Sequence, residues 1–128
     1  MTIRTSFRLR IYVDDVPAIG PGKVSLLEAI AKTGSIRAAA LSLEMSYNRA
    51  WLLVNEMNDC FKKPVVIGSS CGTKGGGAIV TEVGHQLINE YRLLEKEALA
   101  SNAARIKSLK GLLTVSYTHL TLPTTSRV

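Results

Sequence analysis

What this chain of 128 residues lacks narrows its function before any motif is considered. It has two cysteines, Cys60 and Cys71, and they form no C-x-x-C pair, so neither a disulfide framework nor a thiolate metal site is expected. Of its two histidines, His85 reads as a surface or interface residue, and His119 falls in a tail set aside below. No apolar run approaches the ~20 residues that a membrane-spanning helix needs. The N-terminus, MTIRTSFRLRIYV, interleaves charge with apolar residues and lacks the core of a secretory signal, so no membrane partner and a cytoplasmic location are expected. Paired carboxylates, a Ser/His/Asp or Cys/His arrangement and a P-loop are all missing, the GTKGGG run having the wrong order for the last. No catalytic residue, cofactor or metal is therefore expected, and the chain does not read as an enzyme. Aromatics make up only 5% of the residues, which predicts an aliphatic core with Trp51 as its one large anchor. Acidic residues are outnumbered by basic ones, 10 to 16, for a net charge of +6 that suits a polyanionic partner.

What is present centres on Gly34 to Phe61. Ser35 is placed to cap a short helix whose inner face carries Ile36, Ala39, Ala40 and Leu43. Glu44, Met45 and Ser46 interrupt the pattern, and Ser46 can cap again. The second helix then has Tyr47, Ala50, Trp51, Val54, Met57 and Phe61 on one face, with Asn48, Arg49, Leu52, Glu56 and Asp59 opposite. A short helix, a tight turn and a longer helix with a polar outer face predict a helix-turn-helix, whose second helix enters the DNA major groove.

The flanks complete a mainly α fold with a small β-hairpin. Phe7, Leu9, Ile11 and Val13 alternate with Arg8, Arg10 and Tyr12, predicting a half-buried strand with a basic face. Asp14 to Gly22 is turn chemistry that blocks any regular element. A helix from about Lys23 to Lys32 buries Leu26, Leu27, Ile30 and Ala31 and stops at Gly34. After Pro64, the segments Val65–Ile67 and Ala78–Thr81 read as short strands around GSSCGTKGGG, a glycine-rich hairpin with Lys74 at its tip; a connector without structure is the alternative. Thr81 is a plausible cap for a helix running to about Leu109. Leu87, Tyr91, Leu94 and Ala98 form a seam at coiled-coil spacing, expected to be the interface of a homodimer, with packing back on the first helix as the alternative. Residues 1–110 are thus expected to form one winged helix-turn-helix domain with a C-terminal dimerisation helix. Residues 111–128, Thr-, Ser- and Leu-rich without capping logic, look like read-through into adapter sequence and are expected to be an unstructured, non-native tail.

Three segments together carry a resemblance: G-S-I-x-x-A-A at 34 to 40, S-Y-N-R-A-W followed by N-E-M-N at 46 to 58, and G-T-K-G-G-G-A-x-x-T-x-x-G at 72 to 84. The combination resembles the N-terminal winged helix-turn-helix domain of the ModE-type molybdate-responsive transcriptional regulators. More distantly, it is similar to the DNA-binding domains of LysR-type regulators. The likeness covers about Phe7 to Glu97. It implies a dimeric DNA-binding regulator in prokaryotic cytoplasm, tied to molybdate-uptake or molybdenum-cofactor genes. Longer ModE proteins continue into a molybdate-binding domain that nothing after Leu109 resembles, so a standalone form without direct molybdate binding is expected.

On this reading double-stranded DNA is the partner. Asn48 suits adenine N6/N7, Arg49 suits guanine O6/N7, and Leu52 suits a thymine methyl, with Tyr47 beside them. Ser35 and Ser46 cap helices and touch phosphate, Arg37 reaches a phosphate, and Lys74 with the backbone of Gly75 and Gly76 anchors the wing. Trp51 is assigned to the core. A winged-helix module that binds protein without specific DNA binding is the alternative, favoured by Glu56 and Asp59 on the outer face because they repel phosphates.

Overall fold

The computed structural model describes residues 2–69 and 77–113. The elements in chain order are β1 (Ile11–Val13), β2 (Val16–Ile19), α1 (Pro21–Thr33), α2 (Ile36–Ser42), α3 (Tyr47–Cys60), β3 (Val66–Ser69), β4 (Gly77–Val80), α4 (Glu82–Ser101) and α5 (Ala103–Lys110). The described residues divide into two compact units, one within residues 8–94 and one of residues 2–7 with 95–113.

The larger unit is a helical core with a hairpin attached. Pro21 opens α1 at a position where its missing N–H would have had no helical partner, so the helix starts two residues earlier than its apolar stripe suggests. Val24, Leu26, Leu27 and Ile30 of α1 are fully buried, whereas Ala31 is exposed. Gly34 ends the helix at φ 73°, its N–H donating to Ile30 O at 2.7 Å, and its own carbonyl accepts the N–H of Ala78 in β4 at 2.9 Å. Ile36, Ala39 and Ala40 of α2 and Ala50, Leu53, Val54 and Met57 of α3 close over α1. The small residues on α2 let the helices approach closely. Between α2 and α3, Glu44 turns the chain at φ 57°, a left-handed conformation that costs a non-glycine residue about 1 kcal/mol.

The outcome differs from expectation in four places. Trp51 is 39% exposed and does not anchor the core; Leu53, at 8% and on nearly the opposite side of α3, is buried instead. The true stripe is 50, 53, 54 and 57, rotated away from the 47, 51, 54 row that also satisfies helical spacing. Residues 16–19 form a strand rather than a turn, β2, pairing antiparallel with β1 through a bulge between Ile11 and Tyr12. Pro17 is tolerated there because an edge strand leaves N–H positions unpaired. β1 itself is exposed throughout, not half-buried. Finally, the long helix breaks at Asn102, whose side-chain amide donates back to Ala98 O at 2.7 Å and competes with the helical ladder.

Three polar contacts bind the pieces. Asn58 reaches from α3 to the start of β3: its Oδ1 accepts from Val65 N at 2.8 Å and Val66 N at 3.3 Å, and its Nδ2 donates to Val66 O at 3.1 Å. Thr81 caps α4, accepting from Gly84 N at 3.2 Å while its hydroxyl donates to Pro64 O at 2.7 Å. Lys23, only 4% exposed, donates to Pro17 O and to Glu56 Oε1, the latter at 2.8 Å. Glu56 therefore turns towards α1 instead of standing on the free face. β3 and β4 pair antiparallel from Val66↔Val80 to Ser69↔Gly77, with Val66, Ala78 and Val80 inward and Ile67 and Ile79 outward.

α4 docks on this unit through Leu87 and Tyr91, which are 8% and 3% exposed, and the Tyr91 hydroxyl donates to Leu9 O at 2.8 Å. Arg92 donates to both carboxylate oxygens of Glu28, at 2.7 and 2.9 Å. That hydrogen bond holds the Glu28 carboxyl below its ordinary pKa, against the opposing effect of burial and with help from the guanidinium charge. A carboxyl depressed in the folded state contributes stability above its unfolded pKa, and the contribution is lost as pH falls through the folded value. Both side chains are more than a third exposed, so solvent screening keeps it small.

In the smaller unit, α5 and the N-terminal segment line a shallow apolar groove with Ile3, Phe7, Ile106, Leu109, Leu112 and Leu113.

Glu56→Ala leaves the Lys23 ammonium buried without its counter-charge and is expected to destabilise the fold by roughly 3 kcal/mol in urea unfolding. Glu56→Gln, which retains an acceptor, should cost less. A methyl group at Gly84 would lie 2.5 Å from Val65 O and 2.6 Å from Val80 Cγ1. Gly84→Ala must push backbone aside and is expected to cost about 1–3 kcal/mol, read as a lowered Tm.

Candidate nucleic-acid interface

The caps set the site. Ser35 Oγ accepts from Ala38 N at 3.0 Å and Ser46 Oγ accepts from Arg49 N at 3.0 Å, so each helix begins where its serine stands. The four residues buried from α3 then fix how the helix is turned. At roughly 100° per residue, the direction opposite that stripe is shared by Asn48, Leu52, Asn55 and Asp59. All four are exposed, Leu52 by 51%. Tyr47 and Trp51 flank this row on one side and Arg49 on the other.

On the Tyr47 side the structure holds a contact that spacing did not reveal. The Arg37 guanidinium of α2 lies 4.2 Å from the centre of the Tyr47 ring. Tyr47 in turn meets Trp51 edge-on, with centroids 6.3 Å apart and planes at 89°. Tyr47 is 37% and Trp51 39% exposed, so a cation and two rings form a ladder along the outer surface. Leu41, 79% exposed, ends α2 as another free apolar group.

Of the residues singled out by sequence, Arg37, Tyr47, Asn48, Arg49 and Leu52 are exposed on α2 and α3, and the hydroxyls of Ser35 and Ser46 are engaged as caps. Lys74, Gly75 and Gly76 lie outside the described residues, as does Cys71. Leu87 and Tyr91 are used inside the chain's own core, so the four-residue seam does not face outward as a set. Leu94 is 43% exposed and Ala98 half-buried. Sequence reasoning missed Asn55 and Trp51 as surface residues; Asn55 sits seven positions after Asn48, a two-turn spacing that signals a shared face. The protein-binding alternative loses part of its support, because Glu56 is paired with Lys23 and only Asp59 of that acidic pair stays on the outer face. Among the described residues, no cluster of His, Cys, Asp or Glu could hold a metal, and no helix is long and apolar enough to cross a membrane.

No family model matches the chain. Individual relatives do. It is 43% identical over 79 residues to the molybdenum-pterin-binding protein MopA of Rhodobacter capsulatus, covering 62% of this chain and 30% of that protein. With the molybdenum transport protein ModE of Azotobacter vinelandii it shares 34% identity over 107 residues, 81% of this chain and 40% of the relative. With the DNA-binding transcriptional dual regulator ModE of Escherichia coli (strain K12) it shares 42% over 74 residues, 58% and 28% of the two chains. The matched stretch spans 28–40% of the length of these relatives. Over that stretch the chain is similar to the ModE and Mop proteins, and its described residues, with five helices and the β3–β4 hairpin beside the capped helix pair, have a mainly α fold consistent with a winged helix-turn-helix.

Proposed function

We propose that the chain is a ModE-type transcriptional regulator that binds duplex DNA sequence-specifically, laying α3 in the major groove. The observation that supports this most is the row of free polar side chains, Asn48 and Asn55 with Arg49 beside them, on a helix whose start is capped by Ser46. Asn48 offers the donor and acceptor pair that matches adenine N6/N7, Arg49 the fork that matches guanine O6/N7, and Leu52 a surface for a thymine methyl. Arg37 neutralises a phosphate, and Lys74 with the Gly75 and Gly76 backbone grips the duplex from the wing.

The active form in this proposal is a homodimer reading two half-sites roughly 34 Å apart. Leu94 is exposed and free to contribute to its interface, whereas Leu87 and Tyr91 are already covered. The relatives named for molybdenum binding and transport make genes of molybdate uptake or molybdenum-cofactor synthesis the first place to look for operators.

Selection of duplexes from a randomised pool, followed by mobility-shift titration in several salt concentrations, tests the proposal. A selected consensus bound well above scrambled duplex supports it; equal, weak binding to all duplexes sinks it and favours protein docking on the same face. Arg49→Ala is expected to cost about 1–3 kcal/mol of specific affinity and to relax preference at one base pair. Lys74→Ala should weaken selected and scrambled duplexes alike and flatten the salt dependence by about one unit of slope.

A further inference from the structure

Trp51 is the chain's one tryptophan, and its ring stands 39% exposed on α3, the helix assigned above to the major groove. An indole 39% exposed, fixed edge-on against Tyr47 and backed by Arg37 at 4.2 Å from that ring, is pre-ordered before any partner arrives. The partner must match what the ladder presents. At one end is a guanidinium, always charged and holding five donors. At the other is an indole N–H, a donor with no acceptor character, for which the described residues supply no hydrogen-bond partner. Between them lie two apolar ring surfaces. A single DNA strand edge has that sequence of features: phosphate oxygens that accept, with deoxyribose carbon between them. The ladder also flanks the base-facing row of Asn48, Leu52 and Asn55, where the wall of the groove would pass.

We infer that Arg37, Tyr47 and Trp51 form a clamp for the sugar–phosphate backbone of one DNA strand, with the Trp51 N–H and the Arg37 guanidinium donating to phosphates and the rings packing on the sugars. The inference rests on the DNA-binding reading above and extends it to a residue that spacing had placed in the core. The role is positional: the clamp sets how far α3 enters the groove and carries no base preference of its own. Tyr47 holds Arg37 by its ring face, so its contribution passes partly through the arginine.

Because Trp51 is the sole indole, its emission reports the contact directly. The experiment measures acrylamide quenching of the full-length chain, free and with a duplex selected from the randomised pool, while the anisotropy of a dye on the DNA reports binding in the same sample. Quenching that is ready in the free chain and strongly reduced in the complex is the expected result. Trp51→Phe should retain the Tm, since the ring is not core, and weaken selected and scrambled duplexes by one common factor of about ten, the size of a lost hydrogen bond to a charged group. Arg37→Gln should lower the salt slope by about 0.9. Unchanged quenching in a sample where anisotropy shows bound DNA overturns the clamp and leaves the DNA-binding reading intact. Weak quenching before DNA is added also overturns it, because an indole already covered cannot receive a strand. A chain that binds no duplex overturns the clamp together with the reading beneath it.

Discussion

The rotation of α3 about its own axis decides what this molecule can offer a partner, and four buried side chains set it. Ala50, Leu53, Val54 and Met57 are each under a tenth exposed, and each would have to leave the core for the helix to turn. Burying a Leu, Val or Met side chain is worth about 1.5–3 kcal/mol, so a rotation that exposed two of them would consume much of the stability of a domain this size. Ser46 fixes the other degree of freedom, the point along the chain where the helix starts. With axis, rotation and start all determined, Asn48 and Asn55 stand outward through constraints acting on residues that touch nothing outside the chain.

The hairpin depends on the same helix. Asn58, one position beyond Met57, bonds both polar atoms of its amide to the backbone around Val65 and Val66, so β3 is tied to the C-terminal end of α3. Thr81 closes the loop from the other strand by capping α4 and donating to Pro64 O. Gly84 allows the α4 backbone to lie against Val65 at a distance no side chain would permit. Gly34 adds a fourth tie, from the end of α1 to β4. Strands of four residues have little stability alone, and these contacts give the hairpin a fixed origin relative to α1 and α3 within the larger unit.

Local chemistry was legible in the sequence, and rotation was not. Ser35, Ser46, Thr81 and Gly34 act over three or four residues of chain, and their hydrogen bonds fall where the residue types predict. Trp51 faces out although spacing places it in the core, because apolar residues cover about half the circumference of α3: 47, 51 and 54 make as regular a row as 50, 54 and 57. Only packing against α1 and α2 chooses between the two, and residues far away in the chain supply it. β2 escaped notice because Pro17 removes one ladder donor, and the compensating contact, Lys23 donating to the Pro17 carbonyl, cannot be read from Val16–Ile19. The seam of α4 was real as a pattern, but its first half is satisfied by the chain's own core, which spacing alone cannot distinguish from a partner.

The electrostatics of the outer face follow from the same packing. An acidic residue at position 56 of an otherwise polar helix face would repel a polyanion, and its sequence position argues for a protein partner. The structure removes that objection by pairing Glu56 with Lys23 at 2.8 Å, in a contact where the lysine is almost wholly excluded from water. Such a pair is not strongly stabilising in net terms, because both ions lose hydration on the way in. Its effect is on the surface that remains: one carboxylate is turned away from the Asn48–Asn55 row, while Arg37 and Arg49 stay on either side of it. A buried cation that gives little to stability thus leaves Asp59 as the one carboxylate on the outer row of α3, against Arg49 and the neighbouring Arg37, a balance that a phosphate backbone tolerates better than the composition of α3 suggests.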